Sequence, residues 1–429
     1  MKPIKIIISG DNGPSLPSPF GGIMKHCLLC ARDWKAAGAE VALHVYHRHD
    51  NEDDLGASAD YFYDFESEPR AIDKLSFVFK NFLSKPGLFL SILHLEMSLL
   101  PEYDWGLMLF CAGRAVVLDA KVKTFLPDVI LAETGGLQSL ASLEVAKRNK
   151  LPVVLENYAE ILFRGGADGN NSAPRYAKLW KYLVNNVDLV VSTSVHCAKG
   201  PETYITDPSK MRIIYSGINF DVFGNTEVSD KKALRAKFGL PQEKKLVMSV
   251  GSLKMRKGHD HLFESLLLLS PEERKNIFVV LCGMGDLEQL KSHAREIGFP
   301  DDSLKIFQKL PEADLAELYA AVDCFCFPSV TPRECMGLAL KEAMSVGLPV
   351  AAYDSGGIKE AVEGGVNGIL VPTGDKQALS RAIAKLLQLS DKEKEDMRLR
   401  NKEKARQLFD LRVTSKMLFD ELEKISERA

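Results

Sequence analysis

Pro328-Ser-Val-Thr-Pro-Arg-Glu-Cys-Met-Gly-Leu-Ala-Leu-Lys-Glu342, continued by Ala343-Met-Ser-Val-Gly-Leu-Pro-Val350 and Asp354-Ser-Gly-Gly357, decides how the chain is read. The apolar run Cys324 to Phe327 predicts a strand. A proline-containing loop then delivers Gly337 to the start of a helix that Gly347 and Pro349 close. Unpaired amides at a helix start, with the positive end of its dipole, favour a phosphate or diphosphate just outside Gly337 and Leu338. Glu334 lies in the loop before that helix, and Glu342 lies five residues beyond Gly337, about 7 Å along the axis. One ligand can therefore offer its diphosphate to the helix end, sugar hydroxyls to Glu334 and ribose hydroxyls to Glu342.

Working outward, strands and helices alternate from end to end, the pattern of parallel sheets covered by helices on both faces. A chain of 429 residues is long for one core and predicts two domains. Hydrophobic residues make up 46% and charged residues 26%, the balance of a globular protein. A formal charge of -3 gives no footprint for nucleic acid. Met1 to Gly10 has too short an apolar run for a signal peptide and reads as a first strand, and no segment is apolar enough to span a bilayer. Eight scattered cysteines, with Cys27 and Cys30 inside a helical pattern, read as small buried hydrophobes of a protein in a reducing cytosol.

In the first half, Ile4 to Ile8 is a strand, and the Gly/Pro-rich stretch after it ends at Gly21 and Gly22, where backbone can approach a ligand. A helix from about Ile23 to Ala37 and a strand from Glu40 to Tyr46 follow. His49-Asp-Asn-Glu-Asp-Asp54 is a run of solvated charge rather than a metal cluster. Ile72 to Leu100 mixes Phe77, Phe79, Phe82 and Leu88 to Leu90 with Lys74, Lys80 and Lys85, a pattern that serves either core-packing helices or a basic membrane-facing surface. Asp128 to Ala132 and Leu151 to Glu156 are strands, and the second empties into a long polar loop, Asn157 to Asn171.

In the second half, the strand Lys245 to Val250 runs into Gly251-Ser-Leu-Lys-Met-Arg-Lys-Gly258. Lys254, Arg256 and Lys257 in that loop can neutralise a diphosphate and charge growing on a leaving group. His259 and His261, two apart at a helix start, do not share a face and make no zinc site. Strands ending near Cys282 and Phe307 exit through Gly283-Met-Gly285 and Gln308-Lys-Leu310. Gly-x-Gly-x-x-Gly follows none of the strands, which argues against a dinucleotide oxidoreductase.

Glu334 and Glu342, with Gly337 between them, Pro-Ser before and Glu-Ala-Met-x-x-Gly-x-Pro-Val and Gly-Gly after, resemble the Glu-x7-Glu motif of retaining glycosyltransferase family 4. The resemblance spans most of the chain, strongly from Val247 to Thr373. It implies the α/β GT-B fold, two Rossmann-like doubly wound parallel-sheet domains facing an interdomain cleft. An acceptor-binding domain would cover 1–218 and a donor-binding domain 219–408, with a helix over about 409–429 packing back on the first. Glu334, Lys257 and Arg256 take the catalytic places. Glu342, Gly337, Leu338, Met336, Gly21, Gly22, Gly251, Ser252, Gly283, Lys309 and Leu310 take donor-binding ones. Family members carry Arg where Ser252 stands, so Arg256 supplies the guanidinium here. Where the family often has a His near the reacting sugar, this chain has Tyr158, flanked by Asn157 and Glu160, as acceptor-side candidates.

The implied reaction is retaining transfer of a sugar, with UDP the expected carrier, to a glycan or lipid-linked acceptor in polysaccharide or glycoconjugate synthesis. It needs neither cofactor nor metal, since no Asp-x-Asp motif is present and the basic loop supplies positive charge. The expected location is the cytoplasm, with peripheral contact to the inner membrane face through 72–100 and no nucleic-acid partner. A nucleotide-sugar epimerase or hydrolase of the same fold, and a non-catalytic nucleotide-sugar-binding homologue, are the alternatives.

Overall fold

The structure, a computed structural model, describes residues 3–10, 22–47, 60–65, 69–100, 104–158, 161, 176–226 and 230–428. Gly21, Glu160 and His49 to Asp54 lie outside the described residues, as does most of the loop after Asn157. The chain divides into two compact units, 1–216 with 414–429, and 217–413.

The first unit is built on seven strands, β1 (Lys5–Gly10), β2 (Glu40–His47), β3 (Asp60–Phe65), β4 (Val129–Glu133), β5 (Val153–Asn157), β6 (Leu189–Ser192) and β7 (Met211–Ile213). They lie in the order β3-β2-β1-β4-β5-β6-β7, and every pairing is parallel. Central strands such as β4 and β5 are buried along their whole length, as a sheet covered by helices on both faces requires. The core runs from Ile7, Ile130 and Leu155 in the sheet to Leu140, Trp180 and Leu183 on helices. The chain returns to this unit at its end, where Trp34 Nε1 donates to Ser415 O at 3.0 Å and Leu418 and Leu422 are buried.

Among the elements of this unit that escaped the sequence reading, two share a buried ion pair. One is the edge strand β3, whose aromatic and aspartate alternation hides a buried charge. Asp64 accepts from His44 Nε2 at 2.9 Å and pairs with Arg114 Nε at 2.5 Å. The other is the helix Trp105–Phe125, which supplies Arg114 and is capped by Asp104. The stretch 72–100 forms two helices, Ala71–Ser84 and Pro86–Leu99, broken at Lys85-Pro86. Phe77, Leu88, Phe89 and Ile92 join the core while Ile72, Leu75, Phe79 and Leu83 stay exposed.

The second unit has six strands, β8 (Lys245–Val250), β9 (Ile277–Cys282), β10 (Leu304–Phe307), β11 (Cys324–Phe327), β12 (Val350–Tyr353) and β13 (Gly368–Val371). Their order is β10-β9-β8-β11-β12-β13, again all parallel. Numbered within the unit, this is 3-2-1-4-5-6, the doubly wound order that reverses direction between its first and fourth strands. Helices diverge there, and the loops leaving β8 and β11 face each other beyond the carboxyl ends. The sequence stretch read first is the exit of β11.

Candidate functional site

The two loops at the reversal point are locked together by backbone. Gly258 has φ +71°, and a Cβ on it would lie 1.9 Å from Pro328 O, so only glycine lets the β8 exit close on the β11 exit. Val330 N donates to Arg256 O at 3.2 Å, and Gly357 N donates to Glu334 O at 2.9 Å, tying in the turn after β12. The side chains follow. Lys257 Nζ reaches 2.5 Å from Glu334 Oε2, and Ser329 Oγ donates to the same oxygen at 3.0 Å.

Burial alone would push the Glu334 carboxyl up. The Lys257 ammonium beside it, the hydrogen bonds from Lys257 and Ser329, and the charge of Arg256 outweigh burial and hold it below the usual carboxylate range. Lys257 is partly open, Arg256 and Lys254 are exposed, and Lys257's stem lies 3.9 Å from the position of a Cβ on Gly251. Below the loop, His259 is buried, and burial, with the nearby charge of Lys257, presses its imidazole down to about 4 against the opposing influence of the Ser252 and Gly251 backbone. It is a neutral packing group, while His261 Nδ1 turns to Tyr353 Oη at 3.1 Å.

The helix Leu338–Val346 starts at Gly337, whose φ of +73° and a hypothetical Cβ 2.5 Å from Phe327 Cζ again require glycine. Gly337, Leu338 and Ala339 are half-buried, and helix geometry leaves their amides without intrahelical acceptors. Met336 is enclosed, so its side chain offers nothing to a ligand. Glu342 is also buried. It accepts from Tyr319 Oη at 3.2 Å and lies near enough to the end of β9 that its charge, after burial, lifts the Cys282 thiol to about 12. Gly251, Gly283 and the exit of β10 are stitched in series, Gly251 N to Cys282 O at 3.0 Å and Gly283 N to Phe307 O at 2.8 Å. Lys309 is exposed and Leu310 half-buried at the last of these exits.

Three participants had no role in the sequence reading. Ser329 was visible only as part of Pro-Ser. Tyr319 sits on the helix Glu312–Ala321 with no local signal of its own. Lys341, beside Glu342, is buried with Nζ 5.3 Å from the Phe409 ring centre, and burial pushes its amine down to about 7 against the pull of Glu334, Glu360 and Glu342.

In the first unit, Gly22 begins the helix Gly22–Ala36. Asn157 Nδ2 donates to Cys197 O at 2.8 Å and Ser192 Oγ at 3.2 Å. Tyr158 packs edge-on against His26. His26 Nε2 stands 3.1 Å from Glu156 Oε1, and Glu156 is in register with Glu133 on the neighbouring strand. Burial, then the charge of Glu156, keeps the Glu133 carboxyl well above its usual range. This polar cluster at the ends of β4 and β5 was not anticipated, because its members are spread over 130 residues of sequence.

Two parallel-sheet, Rossmann-like units define the class, the GT-B architecture. Residues 230–407 match the family described as Glycosyl transferases group 1. Among curated relatives, the D-inositol 3-phosphate glycosyltransferase of Thermobispora bispora is 28% identical over 237 residues, 53% of this chain and 54% of that protein. The chain thus spans about half the length of the curated relatives it matches. Sucrose-phosphate synthase from Thermosynechococcus elongatus superposes with a TM-score of 0.77 at 17% identity, over 100% of both chains. HepE of Anabaena, in complex with UDP and glucose, gives 0.73 at 19% identity, over 98% of this chain and 100% of that one. At such identities the likeness is one of fold.

Proposed function

We propose that the protein is a retaining glycosyltransferase that moves a sugar from a nucleotide diphosphate carrier, UDP foremost, to a glycan or lipid-linked acceptor. The observation that carries this is the Lys257–Glu334 pair at 2.5 Å, set beside an open helix start at the sheet's reversal point. The family match over 230–407 and the UDP held by a fold neighbour agree with it.

In this reading, the diphosphate lies against the amides of Gly337 and Leu338. Lys257 exchanges Glu334 for a phosphate oxygen, and Arg256 adds a guanidinium from the exposed side of the same loop. Glu334, released from the ammonium and still held by Ser329, accepts from hydroxyls of the donor sugar. Glu342, oriented by Tyr319, accepts from the ribose. As the bond from the sugar C1 to the diphosphate oxygen breaks, the electron pair leaves with the diphosphate, whose growing charge faces Lys257, Arg256 and the helix start, while an acceptor hydroxyl oxygen supplies the new bond to C1 and its proton is given up to the departing diphosphate. These groups supply the positive charge, so the reading requires neither metal nor cofactor. The acceptor side is assigned to the first unit, around Tyr158 and the His26–Glu156–Glu133 cluster.

The test is a thermal-shift panel of UDP, GDP, ADP and CMP and their sugar conjugates, with and without EDTA. A ligand bound only by the folded state raises its apparent stability. A shift with one diphosphate that survives EDTA supports the reading and names the base. A shift abolished by EDTA refutes metal independence. Silence from the whole panel refutes the donor site, and turnover of donor without any acceptor redirects the assignment to hydrolysis or epimerisation.

A further inference from the structure

Lys341 is a buried cation to which the donor reading gives no task. It lies on the helix Leu338–Val346 and is 1% exposed. Its amide donates to Gly337 O at 3.5 Å, so its side chain hangs one turn, about 6 Å along the axis, beyond the helix start that faces the diphosphate. A buried lysine is unfavourable unless other groups answer its charge, and an apolar side chain would fill the same place without that cost. The charge itself therefore needs a reason.

Carboxylates answer it from three elements. Glu334 comes from the β11 exit, Glu342 is the next residue of the same helix, and Glu360 lies on the short helix Ile358–Ala361, and the charge of each favours the ammonium form of Lys341. Glu360 Oε1 stands 3.1 Å from the position of a Cβ on Gly357, whose amide is bound to Glu334 O, so Glu360 turns back on the donor loop. On a further side Nζ lies 5.3 Å from the centre of the Phe409 ring. Phe409 ends the helix Asp391–Phe409, and its carbonyl accepts from Ile218 N at 2.8 Å, which fixes the ring in place. Other charged groups on the packed elements have their own partners. Arg406 lies over the Phe220 ring at 5.4 Å, and Asp410 and Asp221 pair with Arg412 at 2.7 and 3.2 Å. Burial and the three carboxylates oppose each other, and the amine is left at about 7.

In the donor complex proposed above, Lys257 leaves Glu334 for a phosphate oxygen. Glu334 and Glu342 then share the site with a diphosphate, held at short range by the neutral hydroxyls of Ser329 and Tyr319. We infer that Lys341 is a positioning residue of the donor site, a second and buried cation that answers the charge of Glu334 and Glu342 once Lys257 has turned to the diphosphate. It touches no ligand and acts through the two glutamates. The arriving phosphates and the bared Glu334 both favour its ammonium, so where the free protein holds Lys341 partly as amine, donor binding draws a proton from the solvent onto Nζ. This role rests on the proposed donor site and deepens it, because it makes donor affinity fall as pH rises through the neutral range.

The experiment titrates the full chain with UDP in a calorimeter from about pH 6.5 to about pH 8.5, in two buffers of different ionisation enthalpy, for the parent, Lys341→Met and Lys341→Arg. The ionisation of UDP itself is common to all three proteins and cancels between them. Lys341→Met should bind at least about tenfold more weakly than the parent at the acid end and approach it at the alkaline end. Lys341→Arg, charged throughout, should match the parent at the acid end and bind more tightly at the alkaline end. The parent should take up more protons than either variant near pH 7.5. Urea unfolding without ligand tests the lysine alone. With the folded amine below its unfolded value, the unfolded chain binds more protons, so the parent's midpoint should rise against that of Lys341→Met from about pH 7 to about pH 10. The midpoints also report whether each variant folds, and the methionine variant, close to lysine in length, decides the case if arginine does not fit. Affinity ratios that do not change with pH overturn the inference, as does a flat midpoint difference. Midpoints that diverge as expected in a parent that binds no UDP show that the lysine titrates and that the donor reading is what fails.

Discussion

Lys257→Ala separates the electrostatic account of the donor site from a merely structural one. In the parent, Glu334 is 7% exposed and accepts from Lys257 and Ser329. Removing the ammonium leaves the Ser329 hydroxyl and the more distant Arg256 to hold a buried carboxylate, at a cost of about 2–3 kcal/mol at neutral pH. The pH dependence is the sharper readout. With its folded pKa depressed, Glu334 contributes stability that is present above its unfolded pKa and lost as pH falls through the folded value. In the variant, burial dominates and the folded pKa rises above the unfolded one, so the protonated form is favoured in the fold. The stability gap between parent and variant should therefore widen steadily from about pH 4 to pH 7, and nearly close at the acid end.

The same substitution removes a charge-assisted phosphate contact, worth about 1.5–3 kcal/mol, which is about 10- to 150-fold in UDP affinity. UMP, lacking the second phosphate, should lose much less. Urea unfolding at a series of pH values and calorimetric titration with UDP and UMP measure both. A gap independent of pH would show that Lys257 does not set the charge of Glu334. Equal weakening of UDP and UMP would show that it does not meet a diphosphate.

Other outcomes follow from neighbouring contacts. Tyr319→Phe removes the donor to Glu342 and should cost about 1–3 kcal/mol, weakening UDP while leaving inorganic pyrophosphate binding unchanged in calorimetry. Gly258→Ala forces a Cβ against Pro328 O at φ +71°, and should lose at least about 1 kcal/mol in chemical denaturation, with donor binding falling further as the loop that carries Lys257 and Arg256 shifts. Arg114→Leu strips the buried Asp64 of its guanidinium and should cost about 3–5 kcal/mol in urea unfolding at pH 7.5. Burial, together with Arg114's charge, holds His44 below its usual pKa against the pull of Asp64. In the variant His44 protonates more readily beside Asp64, so the loss should shrink below about pH 6.

What the sequence could disclose was whatever is written locally. The β11 exit, its helix and its two glutamates occupy consecutive positions, and their periods, glycines and prolines set strand, loop and helix without reference to the rest of the chain. Alternation of such units was enough for two parallel sheets. Partners were not legible. Tyr319 lies 23 residues from Glu342 and Ser329 lies five from Glu334, yet neither spacing announces a hydrogen bond, because both depend on how helix and loop pack over the sheet. Asp64 and Arg114, 50 positions apart by their numbers, were missed for a related reason. Charged residues in a strand and a helix read as surface, and only the fold shows that each makes the other's burial tolerable. The same logic explains why composition over 72–100 offered two readings. A helix whose apolar residues surround it can serve a core or a membrane, and the sequence does not say which side is covered. Packing answers it residue by residue, with Phe77 inside and Phe79 outside on one helix.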